Sequence, residues 1–531
     1  MIIKLKTIIS SALALTIILT SCTKKLDLLP TNDISPDKVY ANEAGYKQSL
    51  AKVYGSFALT GNSGPAGNGD VAGIDEGTSD FFRLYWKAQE LSTDEAVVAW
   101  GDPGIQDFHL MNWTSGNPLT KGLYYRSMYQ ITLCNDFIRQ SADVKLADRN
   151  ITGADADKVR TYANEARFLR AYQYWVLMDL FGNPPFVTEN NVIGGPLPKQ
   201  IKRADLFIYV ENELKALETV LVNAKGNEYG RVDKAACWAL QARLYLNAAV
   251  YTGTAKNSEA ATYAKKVIDV SGFTLAGTDY RQLMLADNHT NTSENIFAIN
   301  YDGNRTQGFG GTTFLTHASI GGSFAANLHG VDFGWGGLRC TKNLPNAFPD
   351  VTGTADKRSQ FYTSGQNLEI NDLTTFTDGY MVTKYRNKTK AGLNGSNVTF
   401  VDTDMPLFRL PEMYLIYAEA VLRGATTGNA GDALTYVNAI RTRAYGNVTG
   451  NILPNQLTLN FILDERMREL YWEGHRRTDL IRYDRFVEST YLWPWKGGVS
   501  AGTGVAAFRK IYPIPTDDVQ ANPNLVQNSN Y

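Results

Sequence analysis

Five histidines stand at 109, 289, 317, 329 and 475. None is paired as H-E-x-x-H and the cysteines are scattered singly, so a transition-metal centre lacks its ligands. Gly498, Val499, Ser500, Ala501 and Gly502 spell the G-x-S-x-G of a nucleophile elbow, which needs a strand before it and an Asp and a His after it. No His follows Ser500, and Trp493, Pro494 and Trp495 make a poor buried strand. Gly67, Asn68, Gly69, Asp70, Val71 and Ala72 match G-x-G-x-x-A, but in a glycine loop without a preceding strand. The paired carboxylates of a glycosidase are placed by the fold and leave no spacing to read, so that chemistry stays open. The same holds for a structural Ca²⁺, whose oxygen ligands have no fixed spacing outside known loops; no cofactor is expected. The densest charged run, DERMRELYWEGHRRTDLIRY at 464–483, sets Glu465 with Arg468, and Glu473 with Arg476 and Arg477, at i+3 or i+4. That spacing reads as ion pairing along a helix face, each pair contributing only a few tenths of a kcal/mol.

The elements that position such residues begin after an export segment. Lys4 and Lys6 precede an apolar run at 7–19, too short to span a bilayer comfortably, and together they read as a signal peptide over 1–21. Leu19, Thr20, Ser21 and Cys22 resemble a bacterial lipobox, which makes Cys22 the lipidated first residue of the mature chain and 22–37 its tether. With 531 residues, 44% hydrophobic and 20% charged, the remainder is globular in composition. Lys+Arg at 52 against Asp+Glu at 53 supplies no electrostatic reason to bind nucleic acid or an anionic membrane surface. Cys134, Cys237 and Cys340 are odd in number and far apart, which is no disulfide framework, and the first two sit in helical apolar runs as small buried hydrophobes.

Apolar spacing of i, i+3, i+4 predicts helices over 39–57, 121–140, 158–181, 204–222, 234–251, 258–270, 406–423, 430–444 and 457–471. Gly182, Asn183, Pro184 and Pro185 stop the third of these. Two helices share one ladder, Ala260, Ala264, Val267 and then Ala433, Val437, Ile440, whose small residues allow close crossing and stacking as in tetratricopeptide repeats. Trp86 follows helical spacing and belongs to the core. The stretches 60–118 and 281–403 turn to Gly, Asn, Thr and aromatics, with short apolar runs such as 295–300, and read as long loops and small strands where binding groups sit. One unit over 38–531 follows, its helical scaffold mainly at 38–58, 120–280 and 404–490.

Separated segments together resemble the SusD/RagB family of lipid-anchored nutrient-binding proteins of the Bacteroidetes outer membrane. They are the lipobox with KLDLLP at 25–30, NEARFLRAYQYWVLMDLFGNPPF at 164–186, AACWALQARLYLNAAVYTG at 235–253, FRLPEMYLIYAEAVLRG from Phe408, VNAIRTRA at 437–444, ERMRELYWEGHRRTDLIRY from Glu465, and YPIPTDDVQANPNLVQNSNY at 512–531. The resemblance covers nearly the whole chain. It implies a mainly α fold of tetratricopeptide-like helix pairs in a right-handed superhelical scaffold, with a loop-rich irregular binding region and few short strands. It also implies a cell-surface binding protein without catalysis, lipid-anchored to the outer membrane, capturing oligosaccharides for a TonB-dependent, SusC-like transporter.

GIDEGTSDFFRLYW at 73–86, STDEAVVAWGDPG at 92–104 and LYYRSMYQITLCNDF from Leu123 look like the starch-binding branch, in which an Arg, a Trp, a later Tyr and a second Trp form an arc against a curved glucan. That resemblance assigns Arg83 and Trp100 by segment, and Tyr301 (in NYDGNR) and Trp335 (in GVDFGWGG) by order and type. Where the branch has an Asn three residues after the first Trp, Pro103 stands here, and Asp102 takes its place. Pyranose C–H faces stack on aromatic planes while hydroxyls need acceptors such as Asp102 and donors such as the forked guanidinium of Arg83. An oligopeptide-binding member would instead show a deep groove with charged groups for peptide termini. A surface glycoside hydrolase would show two carboxylates about 5 to 9.5 Å apart beside the aromatic platform.

Overall fold

Side-chain caps set where the first helices begin. Asn42 accepts from Gly45 N at 3.0 Å ahead of α1 (Glu43–Gly55), and Asp80 accepts from Arg83 N at 3.1 Å ahead of α2 (Phe81–Glu90). Asn117 accepts from Leu119 N and Thr120 N ahead of α3 (Pro118–Gln140), with Pro118 at the first position where its missing N–H costs nothing. The computed structural model describes residues 35–531 apart from Glu76, Thr78, Ser271 and Thr278. The export segment, Cys22 and most of the tether lie outside the described residues.

α4 (Gly153–Leu180) ends as its sequence demands: Gly182, at φ 75°, donates to Leu177 O at 3.1 Å, and the prolines behind it cannot continue the helix. There follow α5 (Arg203–Val220), α6 (Lys234–Leu246), α7 (Asn257–Ile268) and α8 (Gly311–Ala318), then α9 (Leu410–Leu422), α10 (Ala430–Tyr445), α11 (Leu459–Leu470) and α12 (Arg476–Arg482). Each long helix packs on the next in chain order: α3 on α4, α4 on α5, α5 on α6, α6 on α7, α7 on α9, and α9 on both α10 and α11. This is the stacked helix-pair scaffold expected from the small-residue ladder. Ala260, Ala264, Val267, Ala433, Val437 and Ile440 are all fully buried at its crossings, as are Trp86, Cys134 and Cys237. Among the described residues no helix is long and apolar enough to cross a membrane.

Strands are few and short. β1 (Val97–Val98) pairs with β3 (Leu338–Arg339), and β2 (Asn295–Ile299) pairs with β4 (Met405–Arg409), both antiparallel. β4 corrects the helix expected over 406–423. Its residues are buried on both faces, and a continuous apolar run of that length suits a strand or a helix equally. Pairing with β2 decides the matter, with Phe297 opposite Phe408 and Ile299 opposite Met405, and the helix starts only at Leu410, where Pro411 suits a first turn.

The charged run at 464–483 is a second correction. Trp472 (φ 63°) and Gly474 (φ 81°) break it into α11 and α12, and its charges turn inward. Of the three expected helix-face pairs only Glu465 with Arg468 forms, at 2.7 Å. Glu473 instead meets Arg409 and Lys384, each at 2.7 Å, and Arg476 meets Asp94 at 2.7 Å. Arg358, Arg409, Arg443, Glu294, Glu465 and Glu469 complete a network buried in the scaffold, whose ions are matched by several partners each, as charges removed from water require.

Candidate functional site

A ladder of two residues assembles the cleft. Val97 pairs with Arg339 and Val98 with Leu338, and Ala99 N extends the ladder by donating to Gly337 O at 2.8 Å. Trp100 and Trp335, far apart in sequence, are thereby set side by side with ring centroids 6.4 Å apart and planes at 41°. Trp100 Nε1 donates to Trp335 O at 3.3 Å, and Gln106 Nε2 holds the Trp100 carbonyl at 2.6 Å. His109 has a structural task in the same loop: burial pushes its pKa down to about 3, and the neutral ring accepts from Val98 N at 3.1 Å. Gly337 lies under the Trp100 indole, where a Cβ would come within 2.3 Å of the ring.

Arg83 comes from the first turn of α2, where Asp80 caps that helix and also accepts from Gly311 N at the start of α8. Its guanidinium carbon lies 4.5 Å from the Phe314 ring centroid, 5.7 Å from Trp100 and 5.9 Å from Trp335. Nη1 donates to Phe309 O at 2.6 Å, while Nε has no partner among the described residues. Burial pushes the Arg83 pKa down to about 10 against the opposing pull of Asp80, Asp102 and Asp75. A guanidinium so enclosed keeps its charge at neutral pH and offers donors to whatever enters. It lines a cleft of about 380 Å³ together with Ala66, Asp75 and Gly77 of the glycine-rich loop and with Phe309, Phe333, Trp335 and Thr399.

The structure therefore brings Arg83, Trp100 and Trp335 together. Asp102 is exposed on the turn after Trp100, within electrostatic reach of Arg83. Tyr301 is placed elsewhere: its ring is buried in the main core, its hydroxyl faces Gly311 without a hydrogen-bond partner among the described residues, and burial raises its pKa well above the ordinary value. The aromatic residue that lines the cleft in its stead is Phe309, edge-on to Trp335 at 6.3 Å. Phe333, 57% exposed at the rim, is a further residue that the sequence reading did not select, although it stands two places before Trp335 in the same glycine-flanked run. Glu90, the last residue of α2, and Glu95 are a close carboxylate pair, but both are buried in the core, where Glu90 accepts from Gly474 N and His475 N and Glu95 from Trp472 N. Among the described residues no group of three His, Cys, Asp or Glu side chains is placed to hold a metal.

This fold, a stack of helix pairs, recurs in solved structures. Surface glycan-binding protein A from Bacteroides fluxus superposes with a TM-score of 0.69 over 92% of this chain and 99% of its own, at 22% identity. Surface glycan-binding protein A from Bacteroides thetaiotaomicron, solved in complex with laminarihexaose, gives 0.68 over 91% and 99%, also at 22%. In sequence, the starch-binding protein SusD of Bacteroides thetaiotaomicron is 34% identical over 96% of each chain, and the SusD family profile matches residues 360–531. The chain belongs to the SusD family.

Proposed function

We propose that the protein is a cell-surface glycan-binding lipoprotein, without catalytic activity, that captures maltooligosaccharides of the starch type. One observation carries the reading: the Trp335 indole and a buried, incompletely partnered guanidinium line one open cleft, with the Trp100 indole packed beside both. Stacking on the indoles suits the apolar faces of pyranose rings, and Arg83 and Asp102 suit their hydroxyls. The similarity to the starch-binding protein SusD supports an α-glucan as the ligand. In this reading Cys22 carries the lipid anchor, 38–531 is the functional unit, and the captured glycan passes to a TonB-dependent outer-membrane transporter.

Calorimetry of the chain beginning at residue 23 against maltoheptaose, a levan oligosaccharide and a mixed peptide pool tests it. Maltoheptaose should bind, and Trp100→Ala should abolish that binding in a folded protein. Binding of peptide alone, or glucan binding indifferent to Trp100→Ala, would overturn the ligand and the site.

A further inference from the structure

His317 is wholly buried at the last turn of α8, yet its ring meets three residues that line the cleft. Its imidazole lies flat against the Trp335 indole, with centroids 4.8 Å apart and planes at 21°, and Trp335 N donates to its carbonyl at 2.8 Å. Nδ1 is 2.7 Å from Phe333 O, and Nε2 is 3.0 Å from Thr399 O. Phe333 and Thr399 line the cleft from two separate chain segments.

Both partners of the ring are carbonyl oxygens, which only accept. A neutral imidazole has a single N–H, so in that state one of the two contacts sets a nitrogen lone pair against an oxygen lone pair. Only the imidazolium can donate to both. We propose that His317 is a positioning residue of the glycan cleft: as the imidazolium it clasps the Phe333 and Thr399 segments together beneath Trp335, so that the cleft tightens when His317 takes up a proton. This rests on the cleft being the glycan site.

The surroundings set where that happens. Asp332 favours the proton: its Oδ1 lies 3.8 Å from Nδ1, and it ties the same two segments by accepting from Phe333 N at 2.8 Å and Thr399 Oγ1 at 2.7 Å. Burial opposes it and lowers the His317 pKa below that of a free histidine. The neighbouring His329, held down at about 3 by its own burial, stays neutral throughout. Protonation therefore falls below the ordinary histidine midpoint of about 6.5. Affinity rises as pH falls through that range, and by reciprocity glycan binding draws a proton onto the protein.

Two readouts on the chain from residue 23 test this, the first without ligand. In ¹⁵N-histidine spectra the His317 ring, assigned by its loss in His317→Phe and by the acid shift of its midpoint in Asp332→Asn, should pass to the doubly protonated form below pH 6.5. A ring still neutral at pH 4.5 overturns the proposal. In calorimetry, maltoheptaose affinity should rise about fivefold from pH 7.5 to pH 5, the worth of roughly one hydrogen bond, with net proton uptake. His317→Phe, which keeps a flat ring under Trp335, should bind with a flat profile and no uptake. Should His317→Phe fold poorly, His317→Gln, which does not titrate, should give the same flat profile. A rise that persists in these variants overturns the clasp. Trp335→Ala separates the two readings: retained binding would sink the cleft as the glycan site, whereas lost binding beside a flat wild-type profile would sink only the clasp.

Discussion

Gly337→Ala probes the recognition surface without touching a ligand-facing side chain. Gly337 is not among the glycines with positive φ, so its backbone accepts alanine. The new methyl would lie 2.3 Å from Trp100 Cε2, 2.4 Å from Cζ2 and 2.8 Å from Nε1. Carbon atoms rest at about 3.5 to 4.0 Å, so the indole must retreat by more than about 1 Å. Trp100 is half-buried, and its ring has solvent to move into. Moving breaks its hydrogen bond to Trp335 O, worth about 1 kcal/mol, and draws it away from the Arg83 guanidinium, worth about 0.5 to 1 kcal/mol. Restoring the ring to its plane for a glycan regains those contacts only against the clash with the new methyl, a net overpacking cost of about 2 kcal/mol, which is about a thirtyfold loss of affinity. Calorimetry with maltoheptaose reads the loss, and a thermal melt confirms that the variant is folded. A folded Gly337→Ala with wild-type affinity would refute the role given to the Trp100 plane.

Glu469→Gln should destabilise the protein by about 3 to 5 kcal/mol in urea titrations, because it strips the buried Arg358, Arg409 and Arg443 of a shared carboxylate. Burial opposes ionisation of Glu469, but Arg443, Arg409 and Arg358 outweigh it and hold its pKa down at about 2. Its stabilisation is therefore complete above the free carboxylate range near about 4.3 and is lost as pH falls from there toward 2; a wild-type stability curve flat across that interval would contradict the network. Glu90 behaves oppositely: burial raises its pKa, so the stability it lends at low pH is lost as pH rises through that raised value. Glu90→Gln, which keeps an acceptor for Gly474 N and His475 N, should raise the melting temperature at pH 8 and leave it little changed at pH 5. Tyr301→Phe removes a buried hydroxyl that has no partner among the described residues and should leave glycan affinity unchanged at equal or slightly higher stability; a clear loss of affinity would return Tyr301 to the site.

The helical scaffold was legible because its signals are local. Apolar spacing marked the long helices, Gly182 with two prolines marked the end of α4, and the Ala260 and Ala433 ladders marked crossings that are fully buried. Misreadings arose where a distant partner decides. The 405–409 run is a strand because residues more than a hundred positions earlier pair with it, and Glu473 turns inward because Arg409 and Lys384 wait there. In the site, the resemblance placed Arg83, Trp100 and Trp335 by segment, order and residue type, but nothing in local spacing joins Trp100 to Trp335 or separates Tyr301 from Phe309. That choice is made by the β1–β3 ladder and by Gly311, whose missing side chain admits the Tyr301 hydroxyl into the core.

The β1–β3 ladder divides the cleft into two kinds of inheritance. Arg83 is rooted in a scaffold helix whose cap, Asp80, also holds α8, so its position is fixed by the same contacts that fold the protein. Trp100, Phe333 and Trp335 ride on loops joined to one another by the backbone ladder and held by the side chains of Gln106, His109 and His317. If the cleft is the glycan site proposed above, a lineage can exchange its aromatic wall by substitution within two loops while the guanidinium stays as a constant reference point. The same division offers a practical route to new specificities: transplant the loops in pairs and leave the helix alone.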